Sequence, residues 1–190
     1  TLDRFSRGRL DFRMGIGGRT MKRDSSNYGV PFPSYAERVS ILDESLTIIK
    51  GLWTNQSFTF SGRYFTMKEA QQKIRPMQEP HPPITIAGQS RGVLALVAKH
   101  ANVWETGGLM PEEYSKRMES LGEICSMKGR REDEIEKSLE VTIGLSEKGK
   151  DVDDALRARL GARLEEHEKV WTLLHGSPGE VAKRLDDYLA

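Results

Sequence analysis

The chain has 190 residues, 37% of them hydrophobic, and its 29 basic and 28 acidic residues leave a net charge of +1. That is enough apolar material for one packed domain or slightly more, and it provides no global field to recruit nucleic acid or an anionic membrane. No apolar run of about 18 residues is present, so no membrane span is expected, no signal peptide is expected, and the single cysteine, Cys125, excludes an internal disulfide framework and fits a reducing, cytoplasmic compartment.

Apolar and polar residues alternate from Arg9 to Ile16, which predicts a strand feeding the glycine-rich turn Gly15-Ile16-Gly17-Gly18-Arg19. The polar stretch from Thr20 to Pro33, with Asn27-Tyr28-Gly29 and Pro31-Phe32-Pro33, reads as loop. Ser34 followed by Glu37 is a capping box, and a long helix should run from there to Thr54-Asn55. Its apolar stripe of Tyr35, Val39, Leu42, Leu46, Ile49 and Trp53 packs into a core or presents a dimer face, and Gly51 weakens its last turn. Phe58 to Phe60 and Arg63 to Thr66, around Ser61-Gly62, predict a β-hairpin inserted near residues 57–66, as a flap or an edge cover. Pro76 and Pro80-His81-Pro82-Pro83 make an extended leader into the next strand.

Ile84-Thr85-Ile86 reads as an inner strand that breaks into Ala87-Gly88-Gln89-Ser90 and restarts as a helix carrying Val93, Leu94, Val97 and Ala98. Ser90 stands at the N-cap position. The free N–H groups of a helix start attract an anion, Gly88 and Gly92 let one approach closely, and Arg91 can add a charge-assisted bond. An ordinary capped helix after a strand has the same pattern. Val103 to Thr106 predicts another strand, followed by Gly107-Gly108 and a helix opening at Pro111. Leu139, Val141, Ile143 and Leu145 alternate as one more strand. A charged helix is expected from Asp151 through His167, and Ser177, Pro178 and Glu180 repeat the helix-start signals.

Strand and helix alternation means a mainly parallel sheet, doubly wound or closed into a barrel, with the site at the carboxyl ends of the strands. The glycine-rich loops 15–19, 88–90 and 107–108 would there form a pocket for a phosphorylated cofactor. Because a polar loop rather than a helix is expected after Gly15-Ile16-Gly17-Gly18, the dinucleotide fingerprint is missing, which favours a barrel. Candidate acid and base groups are sparse. Glu105 is the acid at a strand end and Tyr28 the hydroxyl in the polar loop. His81 sits among prolines, and His100 ends a helix where an imidazolium suits the dipole. His167 and His175 lie in or after the charged helix. The four histidines and Cys125 have no metal-ligand spacing, and Cys125 reads as core. The charged runs from Arg130 to Glu136 and from Arg157 to Lys169 read as solvated helix faces.

Taken together, these pieces resemble the bacterial luciferase-like flavin-dependent monooxygenases, a family that includes deazaflavin-dependent oxidoreductases. The resemblance is carried by Leu2-Asp3-Arg4-Phe5-Ser6-Arg7-Gly8-Arg9-Leu10 leading to Met14-Gly15-Ile16-Gly17, Tyr28-Gly29 with Pro31-Phe32, and Glu37-Arg38. It continues through Leu52-Trp53, Phe60-Ser61-Gly62-Arg63-Tyr64-Phe65, Pro82 to Gly88, Ala101-Asn102-Val103-Trp104 and Gly176-Ser177-Pro178 with Glu180-Val181. It implies a single (β/α)8 TIM-barrel domain over residues 1–190, incomplete, with about four barrel strands corresponding to the fourth through the seventh. It also implies that reduced FMN or a deazaflavin (coenzyme F-420) binds at the carboxyl face. Gly88, Gln89 and Ser90 would hold the phosphate with Arg91 as helper, and Gly17, Gly18 and Arg19 would border phosphate and ring. Trp104 would line the cofactor chamber or be a core tryptophan. Family chains often carry aspartate where Asn102 stands. The implied activity is monooxygenation of a small organic substrate with O2, by a homodimer or larger homo-oligomer. The alternatives are deazaflavin hydride transfer and a non-catalytic, truncated barrel that packs or binds flavin only.

Overall fold

The computed structural model describes residues 2–146, 154–156, 158, 159, 161 and 173–189, apart from the side chains of residues 19 and 20. The expected charged helix over 151–167 falls mainly outside them, together with His167 and most of the run from Arg157 to Lys169. Contacts divide the chain into two units, Thr1–Trp104 with Ile124–Glu136, and Glu105–Glu123 with Lys137–Ala190.

In the first unit a short helix α1 (Leu2–Phe5) precedes β1 (Phe12–Gly15), which pairs in parallel with β4 (Ile84–Ala87) in the register Phe12 to Ile84 and Gly15 to Ala87. Asp3 anchors α1. Its buried carboxylate accepts hydrogen bonds from the backbone N–H groups of Met77 (2.5 Å) and Gln78 (3.1 Å) and from the Gln78 side chain (2.9 Å). Burial opposes ionisation there, and these donors outweigh it, so the Asp3 pKa lies below the ordinary value.

Residues 19–27, expected as loop, are helix α2 (Arg19–Asn27). The polar composition concealed it, because the apolar periodicity that announces a buried helix is absent. The Tyr28-Gly29 pair taken for loop chemistry is its C-terminal cap. Gly29 has φ +66°, its N–H bonds Ser26 O (3.2 Å), and Val30 N–H bonds Ser25 O (2.8 Å), the two bonds of a Schellman motif.

Helix α3 (Tyr35–Thr54) starts at Ser34 with both arms of the predicted capping box in place. Of the stripe, Leu42 and Leu46 are buried within the unit, Val39, Ile49 and Trp53 are half-buried and Tyr35 is exposed, while Ile48, outside the stripe, is buried as well. Gly51 does more than weaken the last turn. The Phe58 ring lies directly on it and overlaps the position of any Cβ. The hairpin pairs β2 (Phe58–Ser61) with β3 (Thr66–Ala70), so residues 63–65, expected in the second strand, form the turn instead. The Glu44 carboxylate of α3 explains the difference. It accepts the backbone N–H groups of Arg63 (2.7 Å), Tyr64 (3.0 Å) and Phe65 (3.0 Å), donors that a ladder would otherwise use.

Helix α4 (Arg91–His100) follows β4, and β5 (Val103–Gly107) follows α4. Ile84, Ile86, Val93, Leu94, Val97 and Trp104 make the core, each removed almost completely from water and each stabilising by about 1.5–3 kcal/mol. The Arg130 guanidinium closes the C-terminal end of α4 on the carbonyls of Val97, Ala98 and Ala101 at 3.2, 3.2 and 2.6 Å. Asn102 Oδ1 accepts Ile84 N–H at 3.0 Å, a bond an aspartate at this position could also accept.

A further strand, β6 (Glu136–Glu140), follows in the chain. The alternation at 139–145 belongs to two strands rather than one, since β7 (Thr142–Leu145) is separate from β6 and pairs in parallel with β8 (Leu173–Gly176). β8 was not expected. It is four residues long, too short to show a period, and it is followed by α6 (Pro178–Asp186), whose Ser177 capping box is complete. Also in the second unit, Tyr188 donates its hydroxyl to Leu109 O at 2.7 Å. Helix α5 (Pro111–Met127) links the units in sequence and starts at Pro111 as expected. The described strands alternate with helices as in a (β/α) barrel and do not close one. No helix among the described residues is long and apolar enough to cross a membrane.

Candidate functional site

The turn after β4 is built from beneath. Gly88 has φ +134°, a conformation that L side chains rarely adopt, and a Cβ there would stand 3.1 Å from Val93 Cγ1. The Gly88 carbonyl is held by the indole N–H of Trp104 at 2.7 Å, and Trp104 is 0% exposed. Of its two readings, Trp104 is thus the core tryptophan. It fixes the turn from behind rather than lining a chamber.

Ser90 occupies the N-cap position of α4 with extended backbone, yet its side chain makes no capping bond. Its Oγ lies instead 2.6 Å from the Tyr35 hydroxyl, at the first turn of α3. Gly92 makes this approach available, because a Cβ at residue 92 would come within 2.5 Å of the Tyr35 hydroxyl oxygen.

Opposite stands the turn after β1. Gly17 has φ +78°, and Gly18 precedes α2 with nothing within 4 Å of where a Cβ would be. Arg38 of α3 steadies this wall, donating from Nε to Ile16 O (2.9 Å) and from Nη1 to Pro33 O (2.5 Å) with its guanidinium 4.2 Å from the Phe32 ring centre. Between the walls runs a groove of about 690 Å³ lined by Gly17, Gly18, Gly88, Gln89 and Ser90, with Arg13, Met14, Met21 and Val93 also on its sides. A second groove of about 510 Å³ shares Ile16, Gly17 and Gly18 and is lined further by Lys22, Phe32, Ser34, Tyr35 and Arg38.

Five of the eight residues singled out in the sequence therefore meet at one groove. Arg91 is the exposed first residue of α4 and is not on its lining, Arg19 begins α2 with a side chain outside the described atoms, and Trp104 is core. Tyr28 is 83% exposed after α2. Glu105 and the Gly107-Gly108 loop belong to the second unit. His81 Nδ1 is 2.8 Å from Pro82 O and its ring tilts over Trp53 at 5.9 Å.

His100 is buried and bonds Asp43 through Nε2 at 2.6 Å, with Lys99 Nζ 2.8 Å from the same oxygen. Burial lowers the His100 pKa, and the Asp43 bond and charge only partly offset it. Burial thus disfavours the imidazolium that would suit a helix end. No group of three His, Cys, Asp or Glu among the described residues could hold a metal, and Cys125 is buried. Sequence reasoning missed Tyr35 and Arg38 as site residues, since Tyr35 reads as part of the apolar stripe and Arg38 as an exposed helical cation.

The whole chain, residues 1–190, matches the model of the luciferase-like monooxygenases. Among curated proteins it is 26% identical over 121 residues to an FMNH2-dependent dimethylsulfone monooxygenase of Pseudomonas putida, a match covering 64% of this chain and 33% of that protein. Among solved structures it resembles the coenzyme F420-dependent tetrahydromethanopterin reductase of Methanopyrus kandleri, with a TM-score of 0.76, 18% identity, and coverage of 97% of this chain and 66% of that one. A monooxygenase of Streptomyces bottropensis matches with a TM-score of 0.74 and 20% identity over 98% of this chain and 59% of its own. The chain thus spans about a third of the curated relative and half to two thirds of the structural ones. With the full-length match, the βα order and these likenesses in fold, the chain belongs to the luciferase-like monooxygenase family and has part of its TIM-barrel fold, which the described strands do not close.

Proposed function

We propose that this chain carries the cofactor-phosphate site of a flavin-dependent oxidoreductase, with reduced FMN and O2 used to oxygenate a small organic substrate. The observation that carries the reading is the groove between the Gly17-Gly18 and Gly88-Gln89-Ser90 turns, with the start of α4 at its rim. A phosphate fits this donor set. The α4 start brings backbone N–H groups and the positive end of a helix dipole, no acidic residue stands in its first turn, and Ser90 leaves it uncapped. When bound, the reduced cofactor supplies the electrons, to O2 as a flavin or as hydride as a deazaflavin. Gly88 and Gln89 hold the phosphate against the turn, Arg91 approaches from the rim, Gly17 and Gly18 border the ring through backbone groups with Arg19 beside them, and Trp104 keeps the Gly88 carbonyl turned away from the anion. The deazaflavin reading is supported by the likeness to an F420-dependent reductase.

The test is a fluorescence titration of the purified chain with FMN and with coenzyme F420. Saturable binding of one of them, weakened about fivefold in Ser90→Ala, is the expected result and selects the cofactor. A folded chain that binds neither overturns the reading in favour of a non-catalytic barrel segment.

A further inference from the structure

We propose that Tyr35 is a positioning residue that sets selectivity for a phosphate-bearing cofactor, by holding the Ser90 hydroxyl off the helix it would otherwise cap; this rests on the phosphate reading above. A serine at an N-cap normally turns its oxygen onto the N–H of the second or third helical residue and consumes the donor an anion needs. Ser34 and Ser177 do so in this same chain, accepting from Glu37 N and Glu180 N. Ser90 does not.

Its oxygen is drawn to the Tyr35 hydroxyl at 2.6 Å, a distance of a strong O–H to O bond. The phenol is the more acidic partner and the better donor, so Ser90 accepts from Tyr35 and keeps its own proton for an oxygen in the groove. The two hydroxyls stand where the 690 Å³ and 510 Å³ grooves adjoin, Ser90 on one lining and Tyr35 on the other. Gly92 is part of the device, since any side chain there would displace the tyrosine hydroxyl. A purely structural tyrosine would stabilise the fold without regard to what the groove holds.

The experiment titrates wild type, Tyr35→Phe, Ser90→Ala and the double variant with FMN and with riboflavin, which lacks the phosphate, and follows thermal unfolding of each. Tyr35→Phe should weaken FMN about fivefold, leave riboflavin unchanged, and keep the melting temperature or raise it as Ser90 swings back to cap α4. The double variant should bind FMN no more weakly than Ser90→Ala alone, because the tyrosine acts through the serine. Equal weakening of FMN and riboflavin, or none of FMN, overturns the proposal while the cofactor reading stands. If wild type binds neither FMN nor coenzyme F420, the cofactor reading fails first. Thermal protection by inorganic phosphate in wild type but not in Tyr35→Phe then sustains the hydroxyl pair as an anion device, and equal protection or none overturns it.

Discussion

Helices α3 and α4 begin with the same residue type in the same backbone conformation and differ in what their serines do. Ser34 exchanges bonds with Glu37, its hydroxyl accepting the Glu37 N–H and the Glu37 carboxylate accepting Ser34 N–H at 3.0 Å. At α4 the third helical residue is Val93, buried against Gly88, and Ser90 is given to Tyr35. The first helix start satisfies its donors internally and carries a negative charge. The second has neither capping bond nor acidic residue in its first turn. The start of α2 at Gly18 is also without a side-chain cap or an acidic residue, but only at α4 does a serine hold the cap position and bond elsewhere.

The contrast breaks most severely at Gly88. Gly88→Val forces a β-branched residue to φ +134° and drives it into Val93, and the expected cost is about 1–3 kcal/mol of stability together with loss of flavin binding. Urea unfolding and the FMN titration read the two effects. A variant that keeps full stability would show that the turn is not held as described. A smaller effect separates the serines. Ser34→Ala should cost about 1 kcal/mol in unfolding free energy and leave FMN affinity unchanged, whereas Ser90→Ala should leave unfolding nearly unchanged and weaken FMN. Equal stability losses at both positions would mean that Ser90 is an ordinary cap.

Much of this was legible in the residues. Ser34 to Glu37 and Ser177 to Glu180 announce helix starts because the capping box needs a carboxylate three residues on, and the absence of one after Ser90 was equally readable. The strand Ile84–Ala87 and the turn at Gly88 follow from apolar β-branched residues running into glycine. What could not be read is what tertiary contacts decide. Helix α2 has no apolar stripe, β8 is too short for a period, and the hairpin turn at 62–65 is set by Glu44, about 20 residues away in sequence. The bond from Tyr35 to Ser90 spans 55 residues and joins two helix starts that only the fold brings together. Arg38 likewise reads as an exposed helical cation, and only the folded chain shows it holding the Ile16 and Pro33 carbonyls.

The smallest expected effect distinguishes the two ends of α4 itself. Its first turn carries no acidic residue and no cap, while its last turn carries Lys99 and His100 bound to Asp43. Burial holds the folded His100 below its ordinary value of 6.5. Between the folded value and 6.5 the unfolded chain therefore binds a proton that the folded chain does not, and stability falls as the pH drops through that window. Asp43 titrates lower. Burial raises its pKa, but the bonds and charges of Lys99 and His100 outweigh that and hold it below 3.8, so its contribution is complete above that pH and is lost as the pH falls through the folded value. His100→Gln keeps a side-chain N–H for Asp43 and removes the first titration, so its urea midpoint should change less than that of wild type as the pH falls from about 6.5 to 5. FMN affinity at pH 7 should be the same in both proteins, because ten helical residues at about 1.5 Å each separate His100 from the turn at Ser90. Parallel midpoint curves for the two proteins would show that the His100 ring titrates alike folded and unfolded, and a lowered FMN affinity would show that the charged end of α4 acts on the open one.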